Sequence, residues 1–252
     1  MRAINFNNGW TCKHLENHIP GGSIDAMPSE GLSDGGINTG WPEGHDCLYK
    51  KRFIPGPALL RKTVVLEFEG VCHNAEFSLN SERLAFQTYG CANFYVDLTD
   101  KLNLGKENTF EIIVRNADRP NSPWHSGAGS YRPVTLWVAP KEHIQMNGLR
   151  VRTVSIDPAT VEITVLTEGT GPVSVQISDG EQVIVTGITK SDGKANITLA
   201  IPDGKLWSTE TPNLYTCKVT FGEDSAETTF GLRRLDEGAA GSAQPDDSPQ
   251  NI

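Results

Sequence analysis

Apolar and polar residues alternate with a period of two along most of the chain. Val64, Leu66 and Phe68 form one such run, followed by Phe77 and Leu79, by Phe94, Val96 and Leu98, by Phe110, Ile112 and Val114, and by Val134, Leu136 and Val138. A second block repeats the pattern at Val161, Ile163 and Val165, then at Val173, Val175 and Ile177. It continues through Ala195, Ile197, Leu199 and Ile201 and ends with Tyr215, Cys217, Val219 and Phe221. Successive side chains of an extended chain point to opposite faces, so each run predicts a strand with one buried face. Asn-Gly at 147–148, Asp-Gly at 179–180, 192–193 and 203–204, and Leu-Gly-Lys at 104–106 predict the turns. No long amphipathic helix is readable; Leu15 to Ile19 suffices for one short turn.

Short strands about ten residues apart each need a facing sheet for their apolar side, which predicts all-β sandwiches. The 252 residues suffice for two such domains. The boundary falls near Ala139–Glu142, giving domains at 1–140 and 141–235. The second matches the ~100 residues of an immunoglobulin-like sandwich, without its paired cysteines. The first carries a loop-rich stretch, 17–47, dense in Gly, Ser, Pro and Asp. Residues 236–252 hold no aromatic residue and only one large aliphatic, Ile252. Such a segment cannot bury enough surface to offset its ordering entropy, so it is expected to be disordered.

Composition narrows the function classes. The formal net charge of −9 disfavours binding to nucleic acid or anionic lipid. No window approaches the ~20 apolar residues of a membrane helix. The five cysteines, Cys12, Cys47, Cys72, Cys91 and Cys217, are odd in number and scattered. The start lacks the apolar run of a signal peptide, so a cytoplasmic chain with free thiols is expected.

Chemistry-bearing motifs are sparse. The cysteines form no CxxC, which argues against a zinc or redox motif. His14 and His18 have helical i, i+4 spacing but no third ligand and no HExxH, so no metal site is expected. There is no GxSxG, and Gly127-Ala128-Gly129 lacks the context of a nucleotide loop, so no cofactor is expected. Glu67 and Glu69 share one strand face and read as solvated.

Several segments nevertheless carry a resemblance. They are Ile4–Trp10, Tyr49–Phe53, Leu66–Val71 with Ala75–Asn80, and Phe94–Thr99. Most specific is Trp124-His125-Ser126-Gly127-Ala128-Gly129-Ser130-Tyr131-Arg132-Pro133-Val134; Leu206–Ser208, Pro212–Tyr215 and Phe230–Arg233 follow. In this order they resemble the amino-terminal part of family 2 glycoside hydrolases, the β-galactosidases, β-glucuronidases and β-mannosidases. The resemblance implies a galactose-binding-like jelly-roll sandwich followed by an immunoglobulin-like sandwich. Catalysis in that family uses two glutamates on a (β/α)₈ barrel of roughly 250 residues. No such span follows Leu235, and no Asn-Glu pair, the signature of the acid/base, occurs here. The chain is therefore expected to hold no catalytic residue and to be inactive alone.

The implied role is to support a barrel, on another chain or lost by truncation, and to line its sugar pocket for a β-glycoside; a homo-oligomer stays open. Trp124 and His125 in the Gly-rich loop, and Trp41 with Asp46 in the earlier one, are the carbohydrate-contact candidates, each with packing or loop hydrogen bonding as its alternative. Arg132 reads as a loop anchor and Asp25 as a turn cap. Trp10, Trp137 and Trp207 read as core. Two departures are Ser23-Ile24-Asp25, where many members have Pro-His-Asp, and Asn121-Ser122-Pro123 before Trp124, where some carry an acid. The rival readings are a stand-alone carbohydrate-binding module and a structural or interaction protein.

Overall fold

The computed structural model describes residues 1–14, 46–72, 74–90, 92–115, 129–130 and 132–233. It divides into two compact units, Met1–Lys141 and Glu142–Ile252. Among the described residues the only helix is one 3₁₀ turn, Pro57–Leu59, and the architecture is all-β.

The first unit contains, in chain order, β1 (Arg2–Asn5), β2 (Trp10–His14), β3 (Cys47–Phe53), β4 (Thr63–Phe68), β5 (Val71–Cys72) and β6 (Ala75–Leu79). It continues with β7 (Glu82–Gln87), β8 (Phe94–Asp97), β9 (Asn108–Val114), β10 (Gly129–Ser130) and β11 (Val134–Ala139). One sheet has the order β1-β11-β4-β8 and the other β2-β3-β9-β6-β7, while β5 and β10 form a small pair. The alternation of the sequence is realised directly. Along β9 every second residue, Asn108, Phe110, Ile112 and Val114, is buried. Phe68 from one sheet meets Phe77 and Phe110 from the other at ring-centroid distances of 5.0 and 6.0 Å. Each buried aromatic ring removes 150–250 Å² from water, which makes this trio the hydrophobic anchor of the sandwich.

Gly9, at φ +78°, turns the chain from β1, in the first sheet, to β2, in the second; a Cβ there would be strained. The segment Ile4–Trp10 thus runs from a strand of one sheet into a strand of the other.

The second unit holds β12 (His143–Ile156), β13 (Ala159–Asp179), β14 (Gln182–Ala200), β15 (Tyr215–Phe221) and β16 (Asp224–Phe230). The runs at 161–165 and 173–177 are not separate strands but the two halves of β13. Its first half pairs with β12 and the end of β14, and its second half with the start of β14 and with β15. Between them the register slips from Leu166 to Thr170, where Gly169 takes φ +106° and, across from it, Gly193 takes φ +82°. Both strands bend at this level. Val161, Ile163 and Val165 then share one core with Val173, Val175, Ile177 and Phe221. Asp192–Gly193 is accordingly a bend inside β14 and not a hairpin. Asn147–Gly148 is likewise a bulge inside β12, which shifts its register between Ile144 and Leu149. Asp179–Gly180 does close a hairpin.

Candidate functional site

Four of the residues singled out from the sequence, Trp41, Trp124, His125 and Asp25, lie outside the described residues, as does the segment 236–252. The structure does place the strands from which their segments leave. Cys47 at the start of β3 pairs with His14 at the end of β2 on one side and with Val114 at the end of β9 on the other. Val114 also pairs with Ala75, at the start of β6. The roots of segments 15–45 and 116–128 therefore stand side by side at one end of the second sheet.

Asp46 and Arg115, the next residues outward, are joined by an ion pair of 3.7 Å. Asp46 is about a quarter exposed and Arg115 well exposed, so the pair borders solvent and either group can also meet a polar ligand. Arg132 is exposed, separated from β11 by Pro133.

The same unit carries a buried lysine. Lys51 is 8% exposed. Its Nζ donates to the carbonyl oxygens of Phe6 at 2.6 Å and Asn8 at 2.7 Å and lies 3.5 Å from the Phe6 ring centroid. Burial pushes its ammonium down to about 8. Asn7, between the two acceptors, takes the N–H of Val134 at 2.6 Å. Lysine and asparagine thus fasten the turn between β1 and β2 to β3 and β11.

Two readings made from the sequence are corrected. Glu67 is not solvated: it is 9% exposed and accepts hydrogen bonds from Asn93 (2.8 Å), Tyr95 (3.1 Å) and Trp137 (2.7 Å). Alternation correctly puts it on the outer face, but Tyr95 stands directly opposite on β8, and the Trp137 indole on β11 reaches across from the other side. Large neighbouring side chains, invisible to a period count, wall off the carboxylate. Trp137 is consequently on the outer face and half-buried. Trp207 is also half-buried, beneath the Arg233 guanidinium at 5.1 Å from its ring. Trp10 is core, 2% exposed.

Among the described residues no group of three or more His, Cys, Asp or Glu side chains is placed to hold a metal ion.

The class of protein these features define is a two-sandwich, all-β module with loop roots gathered at one end of its first sandwich. The profile described as Glycosyl hydrolases family 2 matches residues 138–233. The beta-galactosidase BoGH2A of Bacteroides ovatus is 31% identical over 226 residues, which cover 81% of this chain and 25% of that protein. A beta-glucuronidase of Formosa agariphila is 28% identical over 285 residues, covering 92% of this chain and 28% of its own length. A solved beta-glycosidase from Bacteroides vulgatus superposes with a TM-score of 0.72 at 25% identity, over 94% of this chain and 34% of that one.

Residues 138–233 carry the family 2 glycosyl hydrolase domain, and the chain as a whole matches the amino-terminal portion of that family's enzymes. It spans about a quarter of the length of the curated relatives it matches.

Proposed function

We propose that this chain forms the sugar-facing, non-catalytic front of an enzyme acting on β-glycosides, its catalytic barrel supplied by further sequence or by another chain. The observation that carries the reading is the convergence of the roots of segments 15–45 and 116–128, bridged by Asp46 and Arg115. Segments that leave one end of a rigid sandwich side by side can present Trp41, Trp124 and His125 to one ligand. An indole face stacks on the C–H surface of a sugar, and an Asp–Arg pair bonds its hydroxyls.

Calorimetric titration of the chain with methyl β-galactoside and methyl β-glucuronide tests this. Binding with a Kd of about millimolar is expected, weakened several-fold in Asp46→Ala and in Trp124→Ala while both variants keep the β-sheet circular dichroism. Affinity unchanged in both variants, or no binding of either sugar by the folded chain, overturns the reading.

A further inference from the structure

Three side chains on β2 and β3 form a cluster independent of the carbohydrate reading. Cys12 lies directly opposite Tyr49, and Cys47 opposite His14. Directly opposed residues share a face and the side-chain period is two, so Cys12, Cys47 and Tyr49 all point to the same side of the sheet. Tyr49 and Cys47 are each 2% exposed, whereas Cys12 is only partly buried.

The three side chains are hydrogen-bonded neighbours: Cys12 with both Cys47 and Tyr49, Cys47 also with Tyr49, and Tyr49 with the Ser130 backbone. The hydrogen bonds of Cys12, that with Cys47 foremost, draw its thiol below the ordinary cysteine value, although its burial opposes them. The shared bond and burial push Cys47 far up. Cys217, held in the second unit's core, is pushed up to about 11 by burial alone. A thiolate-leaning, solvent-reachable sulfur touching a second thiol is the arrangement of a redox-responsive pair.

We propose that Cys12 and Cys47 are a peroxide-responsive thiol pair: Cys12 is oxidised first and Cys47 resolves it to a disulfide between β2 and β3. In the first step the Cys12 sulfur attacks one oxygen of hydrogen peroxide. An S–O bond forms and the O–O bond breaks. The other oxygen leaves as hydroxide and, with the proton of the thiol, becomes water. Sulfur is oxidised to sulfenic acid and the peroxide reduced. In the second step the Cys47 sulfur attacks the Cys12 sulfur. An S–S bond forms, the S–O bond breaks, and the departing hydroxide takes the Cys47 proton as a second water. The product links the two ends of residues 13–46 covalently, at the root of the segment that carries Trp41.

The reduced 252-residue chain, treated with equimolar hydrogen peroxide, alkylated and mapped by mass spectrometry without reduction, tests this. A Cys12–Cys47 cross-linked peptide lacking two hydrogens is expected, formed at least about tenfold faster than any oxidation of Cys217. In Cys47→Ser, Cys12 should accumulate as a sulfenic acid captured by a 1,3-dione; in Cys12→Ser, Cys47 should stay reduced. Wild-type mapping decides even if a variant fails to fold. Cys12 remaining reduced while another cysteine oxidises, or ending as a sulfenic acid without the link to Cys47, overturns the proposal.

Discussion

The indole N–H of Trp137 donates to the Glu67 carboxylate at 2.7 Å, across the outer face of the first sandwich. Asn93 and Tyr95 donate to the other oxygen of the same carboxylate. One acceptor thus serves three side chains drawn from β8, β11 and the loop before β8. Removing it leaves three donors short of a partner. Glu67→Ala should cost about 1–3 kcal/mol, read by urea denaturation. Trp137→Phe, which deletes one donor and keeps most of the wall, should cost less. Equal stability of Glu67→Ala and wild type would mean the cluster contributes nothing to the sheet.

Lys51 makes stability depend on pH in an uncommon direction. Its buried ammonium sits at about 8 in the fold, below the ordinary lysine value of 10.5. Between those limits the unfolded chain binds the proton more readily than the folded one, so stability rises with pH. The penalty is fully present below about pH 8 and is relieved as pH approaches 10.5. The shift corresponds to at most about 3 kcal/mol. Comparing wild type with Lys51→Met at pH 7.5 and 9.5 isolates this group. The wild type should gain relative to the variant at the higher pH, and a relative loss would contradict the burial account.

The Asp46–Arg115 pair separates stability from ligand contact. At 3.7 Å with an exposed arginine, it should contribute under about 1 kcal/mol to folding. Arg115→Ala should therefore denature within that margin of wild type. If the proposed sugar site is right, the same variant should bind methyl β-glycosides several-fold more weakly. A large stability loss with unchanged affinity would make the pair purely structural.

Gly148 is set by close backbone approach. A Cβ there would lie 2.8 Å from the Gln145 carbonyl oxygen and 2.9 Å from that of Leu166. Those atoms belong to β12 and β13 and cannot step aside without opening the bulge. Gly148→Ala should cost about 1–3 kcal/mol. Asn147→Gly, next to it at a positive φ of 54°, should be tolerated. Thermal melts of the two variants distinguish a bulge under steric constraint from a loose one.

These cases show what a single sequence carries and what it does not. The core of the first sandwich was legible because Phe68, Phe77 and Phe110 obey a local period-two rule. The all-β class followed, and so did its resemblance to family 2. The fused strands β13 and β14 were not legible, because Asp-Gly at 192–193 has the same composition whether it ends a strand or bends one. Only the register of β14 on β13, which puts Gly193 at the level of the bend at Gly169, decides between them. Glu67 was misread because alternation assigns a face but says nothing of how large the neighbours on adjacent strands are. The Cys12–Cys47 contact was invisible for a related reason: CxxC is a local signature, whereas this pair is made by the register of β2 on β3. The segments with Trp41 and Trp124 drew attention through composition, and the structure contributes the adjacency of their roots.

The central claim is the proposal made above: the two sandwiches face a carbohydrate, and the carboxylates that cleave it lie on the barrel. Steady-state assay of the purified chain against 4-nitrophenyl β-galactoside and β-glucuronide tests it most directly. The account predicts no turnover above buffer at any enzyme concentration. Turnover that scales with the chain, survives repurification and is lost on mutating a carboxylate within residues 1–235 would contradict it.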